Sequence, residues 1–299
     1  MPNLRALAIA TGLALTSATA QAAPEPCPNG GTVRFGVEPF EAAARMTPIF
    51  NKIGEALSQK LGCKVQVLIT SSYTAEIEAM RAGKLEFGEF GPFSYVLAHQ
   101  VADAQAVAAY AGLDGKPETY TAGIFTWKGS GITSLKDVAG KTFAFSDPAS
   151  TSGHLFPAYG LAKAGIDPDK GIHAYYTGSH TASFEALRNH KVQAGELNST
   201  QITSATMTGE YNPVDFVALW RSQPIPDDPI AVRGDLPSAL KARLTNAARS
   251  LDFSKLLTPD EMKSIAASGG RTVPQDDAAF DVIRNVVTFM HIDLAKMNQ

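Results

Sequence analysis

The chain has 299 residues, 44% of them hydrophobic, and carries 26 Lys and Arg against 29 Asp and Glu, a formal net charge of −3. That length allows two lobes, each with a core of its own. The charge is slightly acidic and dispersed, with no basic run, which argues against nucleic acid as a partner.

The N-terminus, MPNLRALAIATGLALTSATAQAAPEP, has one early cation at Arg5, an apolar centre in ALAIATGLAL, and the small-x-small pattern Ala20-Gln21-Ala22. This is the pattern of a secretory signal peptide over residues 1–22, with cleavage expected after Ala22. The apolar centre is too short to span a bilayer, and no later run reaches the ~20 apolar residues a membrane helix needs. No cysteine stands at the cleavage site to carry a lipid. The expected product is soluble and monomeric, exported in a Gram-negative cell to the periplasm. The chain's two cysteines are Cys27, just ahead of TVRFGV, and Cys63, just ahead of KVQVLI. Two neighbouring parallel strands would bring both thiols to one sheet edge, so in an oxidising compartment a disulfide is expected. The competing reading, a thiolate ligand for a metal or arsenite, lacks a nearby histidine.

From residue 32 onward, strand-like and helix-like segments alternate. TVRFGV is followed by MTPIFNKIGEALSQKLG, KVQVLIT by YTAEIEAMRAG, and LEFGEFG by FSYVLAHQVA. After TYTAGIFTW a second series begins: KTFAFS with GHLFPAYGLAKAG, IHAYYTG with TASFEALRNHK, and VQAGELN with a further helix. Then PVDFVALWRSQPIPDDPIAVRG gives two strand-like runs around a proline-rich turn, and the C-terminal stretch is largely helical. This order predicts an α/β protein with largely parallel sheets covered by helices. Two series with a returning tail predict lobe 1 from residues 23–120 and 229–299, and lobe 2 from residues 121–228. The chain would cross between them near residues 120–125 and 222–229. A ligand cleft is then expected between strand C-termini and helix N-termini, with hinge closure around a small molecule.

The segment SDPASTSGH places Ser150, Thr151 and Ser152 where a strand end meets a helix start. Unpaired backbone N–H groups and the positive end of the helix dipole make such a junction hospitable to an anion. Three hydroxyl donors suit a tetrahedral oxyanion, and Gly153 allows close backbone approach. The alternative is an ordinary N-cap with spare serines. No GK[ST] follows, so the turn is not a nucleotide-hydrolysing phosphate loop. At the next junction, YYTGSHTASFEAL, His180 stands at a helix start and can donate to an anion that holds it protonated. Its alternative is a plain cap residue. Tyr73 and Tyr95 open two helices of the first series and offer an apolar wall with a hydroxyl, whereas Phe93 reads as packing. Asp227 and Asp228 in PIPDDP stand at the second crossover. A carboxylate there repels a bare anion, so it must accept a proton from the ligand, unless both aspartates are solvated turn residues. No cofactor or metal is implied, and no GxSxG elbow, HExxH helix or Cys-His pattern marks an enzyme.

Together GKTFAFSDPASTSGHLFP, TGSHTASFEALRNHKVQAG, YTAEIEAMRAGKLEFGEFGPFSYVLA and PIPDDP resemble the periplasmic phosphonate-binding proteins of ABC transporters, the PhnD-like family that also includes phosphite and hypophosphite binders. The resemblance runs in consistent order through nearly the whole chain after Ala22. It implies a type II periplasmic binding fold, with two α/β lobes, a two-segment hinge and an interlobe cleft. It implies that Ser150, Thr151 and Ser152 bind phosphoryl oxygens, that His180 joins them, and that an aspartate of the hinge accepts a proton from the ligand, Asp228 matching better than Asp227. Tyr73, Tyr120 and Tyr95 are its matches for the tyrosines that close the other side. Aminoethylphosphonate binders of the family carry a glutamate downstream of the histidine. Thr200 falls at that place here, with Glu196 out of register, so a ligand without an amine, such as phosphite or methylphosphonate, is expected. Partners would be a small oxyanion, an inner-membrane permease and its ATPase. The alternative is a periplasmic sensor that reports to a membrane histidine kinase through the same fold. The arsenite-sensing branch uses a cysteine near the cleft, and both cysteines here are expected to pair with each other.

Overall fold

The computed structural model describes residues 26–297. The expected signal peptide, residues 1–22, lies outside them. In chain order the strands are β1 (Thr32–Val37), β2 (Lys64–Ile69), β3 (Phe87–Glu89), β4 (Gln105–Tyr110), β5 (Thr119–Tyr120), β6 (Ala122–Trp127), β7 (Thr142–Phe145), β8 (His173–Tyr176), β9 (Ala194–Asn198), β10 (Phe216–Arg221), β11 (Ile225–Pro226), β12 (Pro229–Val232) and β13 (Thr272–Pro274). Among the described residues no helix is long and apolar enough to cross a membrane.

The helix Ala43–Leu61 shows why the sequence folds as it does locally. Met46, Ile49, Phe50, Ile53, Leu57 and Leu61 recur at helical spacing and form its buried face. Its end is fixed by Gly62 at φ +63°, a left-handed conformation that glycine adopts without a Cβ penalty. The chain then returns as β2, parallel to β1 with Thr32 opposite Lys64. That register sets Cys27 and Cys63 beside each other with their Cα atoms 5.8 Å apart, and they form a disulfide. The alternative of a thiolate ligand is thereby removed.

Two sheets define two lobes. Lobe 1 is built on the order β13-β4-β12-β3-β1-β2, and lobe 2 on β10-β6-β9-β7-β8. The expectation of largely parallel sheets needs correction, because both are mixed. Strands β1 to β3 pair in parallel, but β12 enters antiparallel between β3 and β4. In lobe 2 β7, β8 and β9 are parallel, while β6 runs antiparallel to β9 and β10. Strands β6 and β12 are inverted because the chain lays them down immediately after crossing between lobes, where no helical return reverses its direction, and the edge strand β13 is inverted as well, antiparallel to β4. The two crossings lie side by side as a short antiparallel ribbon, Tyr120 of β5 opposite Ile225 of β11.

Each lobe has its own apolar core, but one cluster spans the gap. Phe90, Phe93 and Val96 of lobe 1 pack with Ala149, Leu155 and Phe156 of lobe 2. Polar contacts tie the lobes as well. His180 N donates to Phe40 O at 3.1 Å, Thr181 Oγ1 to Glu41 Oε2 at 2.9 Å, and Arg45 pairs with Glu210 at 2.7 Å. The molecule is described in a closed conformation, with a small cavity of ≈ 50 Å³ between the lobes.

Candidate functional site: a cavity with one donor wall and one acid wall

The lobe-2 wall is the turn after β7. Residues Thr151–Leu155 make one wide turn, with Phe156 N donating to Thr151 O, before the helix Phe156–Lys163. A Cβ on Gly153 would overlap the Ser146 hydroxyl, so this turn needs glycine for close approach. The three hydroxyls that precede it are buried, and each already accepts a hydrogen bond from the protein. Ser150 Oγ accepts from Gly153 N at 3.1 Å, Thr151 Oγ1 from Phe93 N at 2.8 Å, and Ser152 Oγ from Asn198 Nδ2 at 3.2 Å. A hydroxyl whose oxygen is engaged in this way has its one hydrogen left to give. Ser150 thus caps the helix, as one reading had it, and all three remain oriented donors lining the cavity.

His180 completes this wall from the start of the helix His180–Arg188, whose cap is Ser179 accepting from Ala182 N. Its Nδ1 lies 3.0 Å from both carboxyl oxygens of Glu196, which is fully buried on β9. Its Nε2 lies 3.5 Å from Ser152 Oγ. Burial disfavours the imidazolium, but the charge and hydrogen bond of Glu196, with Glu41 and Asp147 behind, outweigh it and hold the His180 pKa above its usual value. Ser152, His180 and Glu196 therefore stand in the order of a hydrolase triad, and the Glu196 carboxylate biases the imidazole to hold its proton and act as a donor toward the cavity.

The opposite wall is acidic. Glu89 at the end of β3 and Asp227 and Asp228 of the hinge line the cavity with Tyr110, whose hydroxyl donates to Glu89 Oε2. Burial, opposed by the Tyr110 hydrogen bond and reinforced by Asp227, pushes Glu89 up to about 8. Asp228 is raised well above its usual range by burial and Glu89, and Asp227 by burial and Asp228. Glu38 and Glu76 lie behind, fully or nearly buried; Glu38 is raised by burial and by Glu76, and Glu76 by burial and by Glu89. Among the described residues no acidic cluster is arranged to hold a metal ion.

Most of the expected site residues meet here. Ser150, Thr151, Ser152, His180, Asp228, Tyr73 and Tyr120 all line the cavity, as do Thr200 and both hinge aspartates. Tyr95 does not. Its hydroxyl donates to Asp277 at 2.8 Å and accepts from Ala106 N at 3.2 Å, and its ring packs on Phe280. The reason is helical phase. Phe93 N faces Thr151, and a step of two residues turns the side chain by roughly 200° about the axis, toward the C-terminal segment. Sequence reasoning missed Glu89, Tyr110 and Phe40, and took Glu196 only as an out-of-register acid. An acid inside the apolar run LEFGEFG was the one available signal for Glu89.

With this geometry in view, comparison with known proteins is specific. The family described as "ABC transporter, phosphonate, periplasmic substrate-binding protein" matches residues 35–278. The phosphate-import protein PhnD of Mycolicibacterium smegmatis is 27% identical over 90% of this chain and 87% of its own length. The phosphonates-binding periplasmic protein of Escherichia coli K12 is 26% identical over 89% of this chain and 79% of its own. A solved binding-protein component of an ABC phosphonate transporter from Pseudomonas aeruginosa superimposes with a TM-score of 0.75 at 25% identity, covering 87% of this chain and 86% of that one. The fold is that of a type II periplasmic binding protein, and the chain belongs to the family of periplasmic phosphonate substrate-binding proteins of ABC transporters.

Proposed function

We propose that this protein, exported to the periplasm, captures a small phosphorus oxyanion of the phosphite or methylphosphonate class between its lobes and delivers it to an inner-membrane permease and its ATPase. The observation that carries this reading is the donor wall, where three buried hydroxyls have their oxygens engaged by protein donors and one hydrogen each left to give on the cavity side, where the Tyr73 and Tyr120 hydroxyls also stand, beside a charge-biased His180. Such preset donors fit the oxygens of a tetrahedral anion. Asp228, facing them across the cavity and holding its proton readily, matches a P–OH group that either gives or takes one hydrogen bond. Bound by neutral donors and one imidazolium, the ligand is recognised and released unchanged, so the protein's role is binding and not catalysis.

Ligand size and charge follow from the same residues. The cavity of ≈ 50 Å³ admits only a small anion. Glu196 is engaged by His180, and Thr200 offers the lobe-2 wall a hydroxyl and no charge for an ammonium group. Calorimetric titration with phosphite, methylphosphonate, aminoethylphosphonate, phosphate and sulfate tests the reading. Tightest binding is expected for phosphite or methylphosphonate, with aminoethylphosphonate weaker. No binding to any phosphorus oxyanion overturns it.

A further inference from the structure

The donor wall accounts for an anion but leaves the facing wall unexplained. Glu89 and Asp227 line the same cavity as Asp228, and among the described residues no Lys or Arg lines it with them. Asp227 is 5% exposed, and its Oδ2 has no hydrogen-bond partner. Behind them, Glu38 Oε1 and both carboxyl oxygens of Glu76 are likewise buried without partners. Every charged or titratable neighbour on this side is an acid or a phenol: Tyr110 of β4 on Glu89, Glu118 on Asp227, and Tyr73 and Tyr120 from the rim. Among the described residues the one cation facing the cavity, His180, stands on the other wall against Glu196. An anion closed in beside ionised Glu89, Asp227 and Asp228 would meet like charges in a dry cavity, the least favourable place for them.

We propose that Glu89 and Asp227 make capture proton-coupled: when the lobes close over the oxyanion, this wall takes up a proton from solution that the open cleft would not hold. This rests on the oxyanion reading above and adds the chemistry of its other wall. In the open cleft, water reaches the hinge acids and they ionise in the ordinary carboxylate range. In the closed cavity Glu89 keeps its proton up to about pH 8. The sign follows directly. The complex holds more protons than the free protein between the ordinary carboxylate range and about pH 8, so affinity is highest at the acid end and falls through that window. Each proton taken up makes the fall about tenfold per pH unit. A protonated Glu89 or Asp227 also supplies a donor, so the acid wall adds hydrogen bonds to the anion in place of repulsion.

Calorimetry of methylphosphonate binding at pH 7, repeated in buffers of different ionisation enthalpy, counts the protons. Wild type is expected to take up about one proton more than Glu89→Gln, a difference in which the ligand's own ionisation cancels. Glu89→Gln is expected to lose less affinity than wild type between pH 6 and pH 8, by about tenfold or more. Equal proton uptake by the two proteins, with both binding, overturns the proposal and leaves the oxyanion reading intact. Should Glu89→Gln not fold, wild type with hypophosphite decides. That ligand has a single ionisable hydrogen, so any proton taken up belongs to the protein, and zero uptake overturns the proposal. Tighter binding of aminoethylphosphonate than of methylphosphonate, without proton uptake, also overturns it, because the wall would then be pairing with an ammonium group. Failure of every phosphorus oxyanion to bind instead removes the reading on which this one stands.

Discussion

The two walls of the cavity are built on opposite rules. On the lobe-2 side the donors that face the cavity have protein partners, and the partners fix what is left over: Gly153 N, Phe93 N and Asn198 Nδ2 take the oxygens of Ser150, Thr151 and Ser152, and Glu196 takes one nitrogen of His180. On the lobe-1 and hinge side the carboxyls of Asp227, Glu38 and Glu76 keep oxygens with no partner. A satisfied wall presents fixed donors at little cost on binding, whereas an unsatisfied wall answers by moving protons. If both proposals hold, specificity in this cavity has two sources, geometry on one side and protonation on the other.

Five substitutions would sharpen or break that contrast, from the largest effect to the smallest. Ser152→Ala and Thr151→Ala each remove one donor to a charged ligand, so each should weaken methylphosphonate binding roughly 10- to 150-fold in titration, from the ~1.5–3 kcal/mol of a charge-assisted bond. Glu196→Gln acts only through the histidine. His180, its pKa now held up by Glu196, should fall back toward its usual range, so the variant should match wild type at pH 5 and, measured as a ratio to wild type at each pH, lose about a further tenfold as pH rises past 7. Glu76→Gln tests the buried acids through stability. A carboxyl raised on folding is protonated in the folded state where the unfolded chain has released its proton, so thermal stability of the wild type should decline as pH rises above the ordinary carboxylate range. The variant should show a shallower decline in a melting series from pH 5 to pH 8. Arg45→Ala removes the partly exposed interlobe pair with Glu210 and should weaken affinity only a few-fold, from about 0.5 kcal/mol, without altering ligand preference. An effect as large as that of Ser152→Ala would mean that closure contacts, not the donor wall, set the affinity.

The two walls also differ in how much of them a sequence reader can see. The donor wall is local: ASTSGH and TGSH each hold strand end, cap and donor within a few residues, so their chemistry is readable in order. The acid wall exists only because β12 inserts antiparallel beside β3, placing Ile230 opposite Glu89 and with it the hinge aspartates next to that acid. Nothing within either segment announces that pairing. Strand β4 was missed for a related reason. QAVAAY is alanine-rich and weak in strand preference, and it is held in place by β12 and β13 on its two sides. The short β13, with its proline, gave no strand pattern at all. Tyr95 was misplaced because a helix start fixes which residues are near a cleft but not which way each turns. Glu196 was seen as an acid near the histidine, and only the packing of the helix His180–Arg188 over β9 makes it the imidazole's partner.

The serine-threonine turn of lobe 2 is proposed to donate its hydroxyl hydrogens to a phosphorus oxyanion. The direct measurement is titration of methylphosphonate into the double variant Thr151→Ala/Ser152→Ala, with the fold checked by its melting transition. The account predicts a folded protein whose affinity is lower by at least about 100-fold, from two lost donors to a charged ligand. A folded double variant that binds methylphosphonate as tightly as wild type would contradict it.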